Sequence, residues 1–434
     1  MNFGLANLAT VMKKELMCVI ILSFFIFLSS RALFHKGFFR TIDDITTVRI
    51  DYMERELKRN DWSNFPVRLS GELSNNYGYP LYLFYAPLTY YFGAILKMLL
   101  SLSSIVATKY VYVFPLIFGP FAFYFAARQK MSHFPALTAA IVYTLFPYRG
   151  TNTYLRGAVA EAWAIAFVPL ALGALFLLQK KNKFGGVLFS ISLFLVLISH
   201  NLTGVLFTGF VLLYALVFFQ TNKQFWRFLI LGLGMAAFYL IPMFYYLKII
   251  KVSYLDLNTT YIFQTLEPIS NLLVIKFNQM VWRTSGVFVL ILAGGLMHFI
   301  YKKLKGEKKL NEPLFWGLSG LVLYLLLFEP AIYIWKLTSP ATGILQFVWR
   351  LLSILAFIIP FFLGLLLAHI KSLYLKIALV SITIIASINF LPSFKPEAYS
   401  YFYEYKPEGQ CASTSNQDEY LPIWVKGCPP RKVL

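Results

Sequence analysis

The chain has 434 residues, of which 59% are hydrophobic and 13% charged. Soluble domains carry roughly 25% charged residues, and apolar runs here repeatedly approach the ~20 residues that cross a bilayer. This excludes a soluble globular protein. It predicts an all-α polytopic membrane protein, because in lipid a helix satisfies its own backbone.

The net charge is +20, but it does not point to nucleic acid. Outside the first long polar loop, most basic residues sit in short clusters between apolar runs: Lys13/Lys14, Arg128/Lys130, Lys180/Lys181/Lys183, Lys223/Arg227, Lys302–Lys309 and Lys371. Retention of positive loops on the inner side, in contact with anionic lipid, produces this pattern. Membrane lipids are therefore the expected partners, and nucleic acid is not.

In chain order, spans are expected near 16–34, 106–127, 134–148, 161–178, 184–199, 203–219, 228–246, 283–300, 313–328, 351–369 and 374–391. The N-terminus looks like a signal peptide but lacks a clear small-x-small cleavage site, so it reads as an uncleaved anchor. Placing every basic cluster inside demands an odd number of crossings between 35 and 128. Two apolar runs lie there, 81–102 and 106–127. The first carries five tyrosines over 79–91, Pro80, Pro87 and Lys97. Tyrosine favours the headgroup interface, so 81–102 is expected to lie at the outer interface. Within the same loop, 48–60 (VRIDYMERELKRN) is helical in pattern and mostly polar, and is expected along the surface.

The result is about eleven transmembrane helices, with the N-terminus cytoplasmic and the C-terminus outside. Residues 1–391 form the membrane domain, with a first outer loop at 35–105 that contains interfacial helices. Residues 392–434 form a short outer tail. Cys18 falls in the first span. Cys411 and Cys428 fall in the tail, where a disulfide can form if the tail is outside. No internal repeat is visible, and there is no P-loop, Gly-rich nucleotide fingerprint, HExxH or CxxC.

The unusual polar residues fall on the outer face. Asp43-Asp44 follows the first span closely. Two near carboxylates repel, so one can serve as a general base toward a hydroxyl or help to hold a divalent metal. The plainer alternative is an N-cap for the next helix, shared with Thr46/Thr47. The stretch 148–161 (YRGTNTYLRGAVAE) offers Arg149 and Arg156, whose forked guanidinia suit phosphate, and Glu161 at a helix start. Arginine at an interface also snorkels without a ligand. His200-Asn201 sits between two apolar runs and can donate to a phosphate or a sugar hydroxyl, or simply pack. Trp349-Arg350 stands at the outer end of the tenth span. Glu267 and Arg283 are weaker candidates. Asn201 and Asn258 match the glycosylation pattern, the first too close to the membrane.

Six stretches carry a resemblance: Asp43-Asp44, Pro66-Val67-Arg68, NYGYPLYLFYAPLTYY (76–91), PYRGTNTYLRGAVAEAWA (147–164), SHN (199–201) and QFVWR (346–350). Together they resemble the GT-C superfamily of integral-membrane glycosyltransferases. The nearer match is the prokaryotic membrane-protein family labelled 6-pyruvoyl-tetrahydropterin synthase-related, although nothing in the chain points to pterin chemistry. The resemblance implies a sugar donor carried on a polyprenyl phosphate and an acceptor hydroxyl on a saccharide, lipid or protein. It implies inverting transfer at the outer face of a prokaryotic cell membrane. Asp44, or else Asp43, would be the base. Arg149, Arg156 and Arg350 would bind the donor phosphate. Glu161, His200, Arg68 and Tyr79 would contact substrate. Relatives often place a histidine shortly after the acidic pair, where this chain has Thr46 and Thr47. The tail, rich in tyrosine, would fold over the outer face as an acceptor lid. Two other functions fit the same composition: a transporter or flippase of a lipid-linked saccharide, and an inactive partner in cell-envelope assembly.

Overall fold

The computed structural model describes residues 2–43, 45–59, 61–251, 262–273, 286–342, 345–400 and 420–425. Asp44, Asn258, Arg283, Cys411 and Cys428 lie outside the described residues. The fold is almost wholly helical. Helix α1 (Asn2–Ser30) leads into the first loop, which holds α2 (Thr46–Lys58), α3 (Leu81–Phe84) and α4 (Leu88–Leu100). The bundle continues with α5 (Ser104–Arg128), α6 (His133–Thr144), α7 (Pro147–Thr151), α8 (Val159–Gln179), α9 (Lys183–Ser199), α10 (Asn201–Phe218) and α11 (Lys223–Tyr246). It ends with α12 (Gly286–Leu304), α13 (Asn311–Leu325), α14 (Ile332–Thr342), α15 (Leu352–His369) and α16 (Leu373–Ile388).

Among the described residues, seven helical segments are long and apolar enough to cross a membrane. They include α5, α8, α10, α11 and α12, together with Val11–Phe34 and Val348–His369. Helices also occupy the other four expected positions, but α6, α9, α13 and α16 have only 12, 17, 15 and 16 residues. The stretch 81–102 does not form one long helix. It breaks at Tyr85–Pro87 into α3 and α4, and the 13 residues of α4 reach about 20 Å, short of a ~30 Å hydrocarbon core. Lys97 within it meets Asp51 and Glu54 of α2, each at 2.6 Å. Helix α2 is therefore more than a surface helix. Thr46, Thr47, Val48, Arg49, Ile50 and Met53 are buried, and its inner face packs on α4 and α5.

Helices α8 and α15 form the centre, with 83% and 94% of their apolar windows buried, against 28% for α11. Prolines inside α5 and α8 leave carbonyls without their usual partner, because proline lacks an N–H. Two of these carbonyls are met by aromatic side chains. Pro115 leaves the carbonyl of Val111, which accepts from Trp163 Nε1 at 2.8 Å. Pro169 leaves that of Ile165, which accepts from the Tyr143 hydroxyl at 3.0 Å. The chain ends are also tied. Strand β1 (Phe38–Phe39) pairs antiparallel with β2 (Tyr399–Ser400), and Ile250 bridges Pro422.

Candidate active site

The site is built around the stretch after α7. Residues Asn152–Arg156 form a π-helical turn that ends on Gly157, where φ is +72°. A Cβ there would meet Thr41 Oγ1 at 2.1 Å, so both conformation and space demand glycine. This close approach lets the first loop dock: Ile42 N–H donates to Leu155 O (2.9 Å) and Asp43 N–H to Arg156 O (2.7 Å). Asp43 is thereby held at the rim, with its side chain exposed. It does not cap α2. Ile45 occupies that position, with no side-chain cap bond.

Below the rim, Arg156 Nη1 meets Glu161 Oε2 (2.8 Å), Asn152 Oδ1 (2.7 Å) and Tyr148 Oη (3.0 Å). The Tyr148 hydroxyl donates to Glu161 Oε1 at 2.7 Å. Glu161 is only 1% exposed. Burying such a pair is costly unless further hydrogen bonds satisfy both partners, and Tyr148 and Asn152 supply them. Among the described residues, Nε and Nη2 of Arg156 have no acceptor, and Arg156 lines the cavity described below.

His200 links α9 to α10. Its Nδ1 caps α10 by accepting from Thr203 N–H (3.2 Å), and it lies 2.8 Å from the Thr203 hydroxyl. An acceptor Nδ1 leaves the proton on Nε2, which is then a donor. Burial lowers the His200 pKa to about 4, aided by Arg350 and Arg156 and opposed by Glu161, so the ring is neutral at pH 7. Arg350 lies in the turn that leads into α15. Its Nη1 donates to Leu345 O and Gln346 Oε1, both at 2.7 Å. Its Nε is buried without a partner among the described residues.

Asp43, Arg156, Glu161, His200 and Arg350 all line one cavity of about 510 Å³. Arg49, which the sequence reading passed over, lines it too. Its guanidinium lies 3.8 Å from the Tyr85 ring centre and donates to the Tyr90 hydroxyl at 3.0 Å. The available signal was its place among Val48, Ile50 and Met53, on the apolar side of an otherwise polar helix. Tyr420 closes one side, stacked 4.8 Å from Phe84, and its segment hydrogen-bonds to Ile249 and Lys251.

Other expected residues lie elsewhere. Arg149 is buried and faces away from this cavity. It donates to Tyr143 O (3.2 Å), Thr144 O (3.1 Å) and Pro115 O (2.9 Å), so it caps the carbonyl end of α6 and is not placed to bind donor phosphate. Arg68 is half-buried in the first loop and does not line the cavity. Tyr79 is buried behind the wall, 5.9 Å from the Tyr420 ring. Glu267 accepts from Asn271 Nδ2 at 2.9 Å, away from the site. Asn201 donates to Phe84 O (2.8 Å) and accepts from the Tyr239 hydroxyl (2.6 Å), which ties the end of α3 to α11. Among the described residues, no three His, Cys, Asp or Glu side chains are grouped to hold a metal ion.

This bundle has the fold of solved membrane glycosyltransferases. It is similar to the mycobacterial arabinofuranosyltransferase AftD, with a TM-score of 0.56, 14% identity, and coverage of 89% of this chain but 28% of that one. It is also similar to the Archaeoglobus fulgidus oligosaccharyltransferase, with a TM-score of 0.50, 13% identity, and coverage of 88% and 53%. The chain thus spans under a third of the first and about half of the second. No curated protein matches it. Residues 82–396 match the family described as 6-pyruvoyl-tetrahydropterin synthase related domain, membrane protein, and the chain belongs to that family.

Proposed function

We propose that this protein is an inverting glycosyltransferase that moves a sugar from a polyprenyl-phosphate donor to an acceptor hydroxyl, at the outer face of a prokaryotic cell membrane. One observation carries the reading: a single cavity joins an exposed carboxylate, Asp43, to the hydrogen-bond donors of Arg156, His200 and Arg350. The GT-C-like fold supports it.

In this reading the acidic pair supplies the base, with Asp44 preferred and Asp43 its neighbour. The base takes the proton of the acceptor hydroxyl as that oxygen attacks the anomeric carbon. The bond to the donor phosphate breaks on the opposite side, which inverts the centre. The departing phosphate gains charge, and Arg156, Arg350 and the Nε2–H of His200 stabilise it. Glu161 holds Arg156 in place. Arg49 and Tyr85 form the wall nearest the acceptor, and the tail, through Tyr420, covers it. A divalent ion at the acidic pair is compatible with this scheme.

The test is sugar transfer in membranes carrying Asp43→Asn or Asp44→Asn, with polyprenyl-phosphate sugars as donors. Loss of transfer with normal protein levels is expected for at least one variant. Full activity in both would overturn the assignment.

A further inference from the structure

A second cavity, of about 560 Å³, lies at the other end of the bundle. Helix α15 links the two: it leaves the first cavity at Arg350 and reaches the second at His369. Its 18 residues span about 27 Å, close to a hydrocarbon thickness. The second cavity therefore faces the opposite leaflet. This end carries the basic residues Lys302, Lys303 and Lys371.

Its walls are two stripes at helical spacing. On α12, Gly294, His298 and Lys302 share one face, and on α16, Leu375, Leu379 and Ile382 do. Helix α12 packs on α15 and α16 packs on α6, so the two stripes face each other across a groove. The groove is graded. Gly294 is exposed and a Cβ on it would touch nothing within 4 Å, so this end of the groove is open and apolar. The other end is polar and net cationic. Lys302 Nζ lies 3.2 Å from both His369 O and Glu307 Oε2, Lys371 lines the same cavity, and Ser372 caps the start of α16. His298 Nε2 is buried there without a partner among the described residues. Among the described residues Glu307 is the one anionic lining group, and Lys302 already pairs with it.

We propose that this groove binds a membrane phospholipid with an anionic headgroup. The phosphate meets Lys302, Lys371, His298 and the first turn of α16, and an acyl chain lies along Gly294, Leu379 and Ile382. A free phosphate would use only the cationic end. The apolar extension from Lys302 to Gly294 runs about 12 Å along α12, a length suited to a chain. This site is independent of the chemistry proposed at the first cavity.

The experiment is native mass spectrometry of the delipidated full chain with phosphatidylglycerol, phosphatidylcholine of the same acyl chains, or glycerol 1-phosphate. Phosphatidylglycerol is expected to bind at least ~10-fold better than phosphatidylcholine. Lys302→Gln and Lys371→Gln should each weaken it about fivefold, since one basic group near anionic lipid contributes that much. Gly294→Leu, whose Cβ meets open space and which suits a helix, should obstruct the apolar end and remove both lipids at unchanged melting temperature. If Lys302→Gln fails to fold, Lys371→Gln and Gly294→Leu still decide. Equal binding of the two lipids, glycerol phosphate binding as well as the lipid, or retention by Gly294→Leu would each overturn the proposal.

Discussion

Arg149 and Arg156 stand seven positions apart in one motif and have opposite fates. Arg149 is spent on three carbonyls, whereas Arg156 keeps Nε and Nη2 for the cavity. Arg149→Gln should therefore lower the melting temperature while each folded molecule retains its activity. Arg350→Gln should do the reverse, cutting transfer on the order of 10²-fold with little loss of stability, as expected for a lost stabiliser of leaving-group charge. A transfer assay normalised to folded protein, with thermal unfolding alongside, separates the two. Glu161→Gln leaves Arg156 buried without its counter-charge and should cost roughly 3–5 kcal/mol, read as reduced thermal stability in detergent. His200 gives a pH signature. Its folded pKa of about 4 lies below the ordinary 6.5, so between these values the unfolded chain binds the proton more readily. Its stabilising contribution is complete above pH 6.5 and is lost as pH falls through 4. His200→Asn can still cap α10 but cannot take up the proton, so its melting temperature should fall less steeply across that window.

At the scale of elements, the long apolar runs were legible because lipid demands length and hydropathy, and both are written locally. The stretch 147–164 was legible as an unusual polar island. What could not be read was which polar groups meet. That depends on the π-helical turn, on Gly157 and on a two-residue strand pair, none of which leaves a periodic pattern. The carbonyl debts of Pro115 and Pro169 are likewise settled by Trp163 and Tyr143 from other helices. Helix α2 misled for the same reason. Its charged composition describes the outer face, while Arg49 lies on the side that α4 and α5 cover. Gly157→Ala tests the turn directly. A left-handed alanine costs roughly 1–2 kcal/mol, and its Cβ would also push Thr41 away. Transfer should fall more than stability, because the displaced segment carries Asp43.

For the whole molecule, α15 sets two chemically different cavities at opposite ends of one buried helix. The sidedness proposed for them is open to measurement by single-cysteine labelling in intact cells, with probes at Ser103 and Gln129 in a background lacking Cys411 and Cys428. These residues flank the 25 residues of α5. Outer labelling at 103 but not at 129 is expected. Labelling at 129 alone would invert the proposed orientation and move the Asp43 cavity to the inner face.

The pairing of β1 with β2 also bears on how the protein is made. Phe38 and Phe39 leave the ribosome early, and their partners Ser400 and Tyr399 emerge only after α16. At 5–20 residues per second the wait is roughly 20 to 70 seconds. During that interval the helices can insert one by one, but the segment bearing the acidic pair has only half of its anchorage. The proposed reaction centre is thus among the last parts of the molecule to mature. A nascent chain halted before β2 would already be a membrane protein, but not yet one with its acidic rim fully fastened.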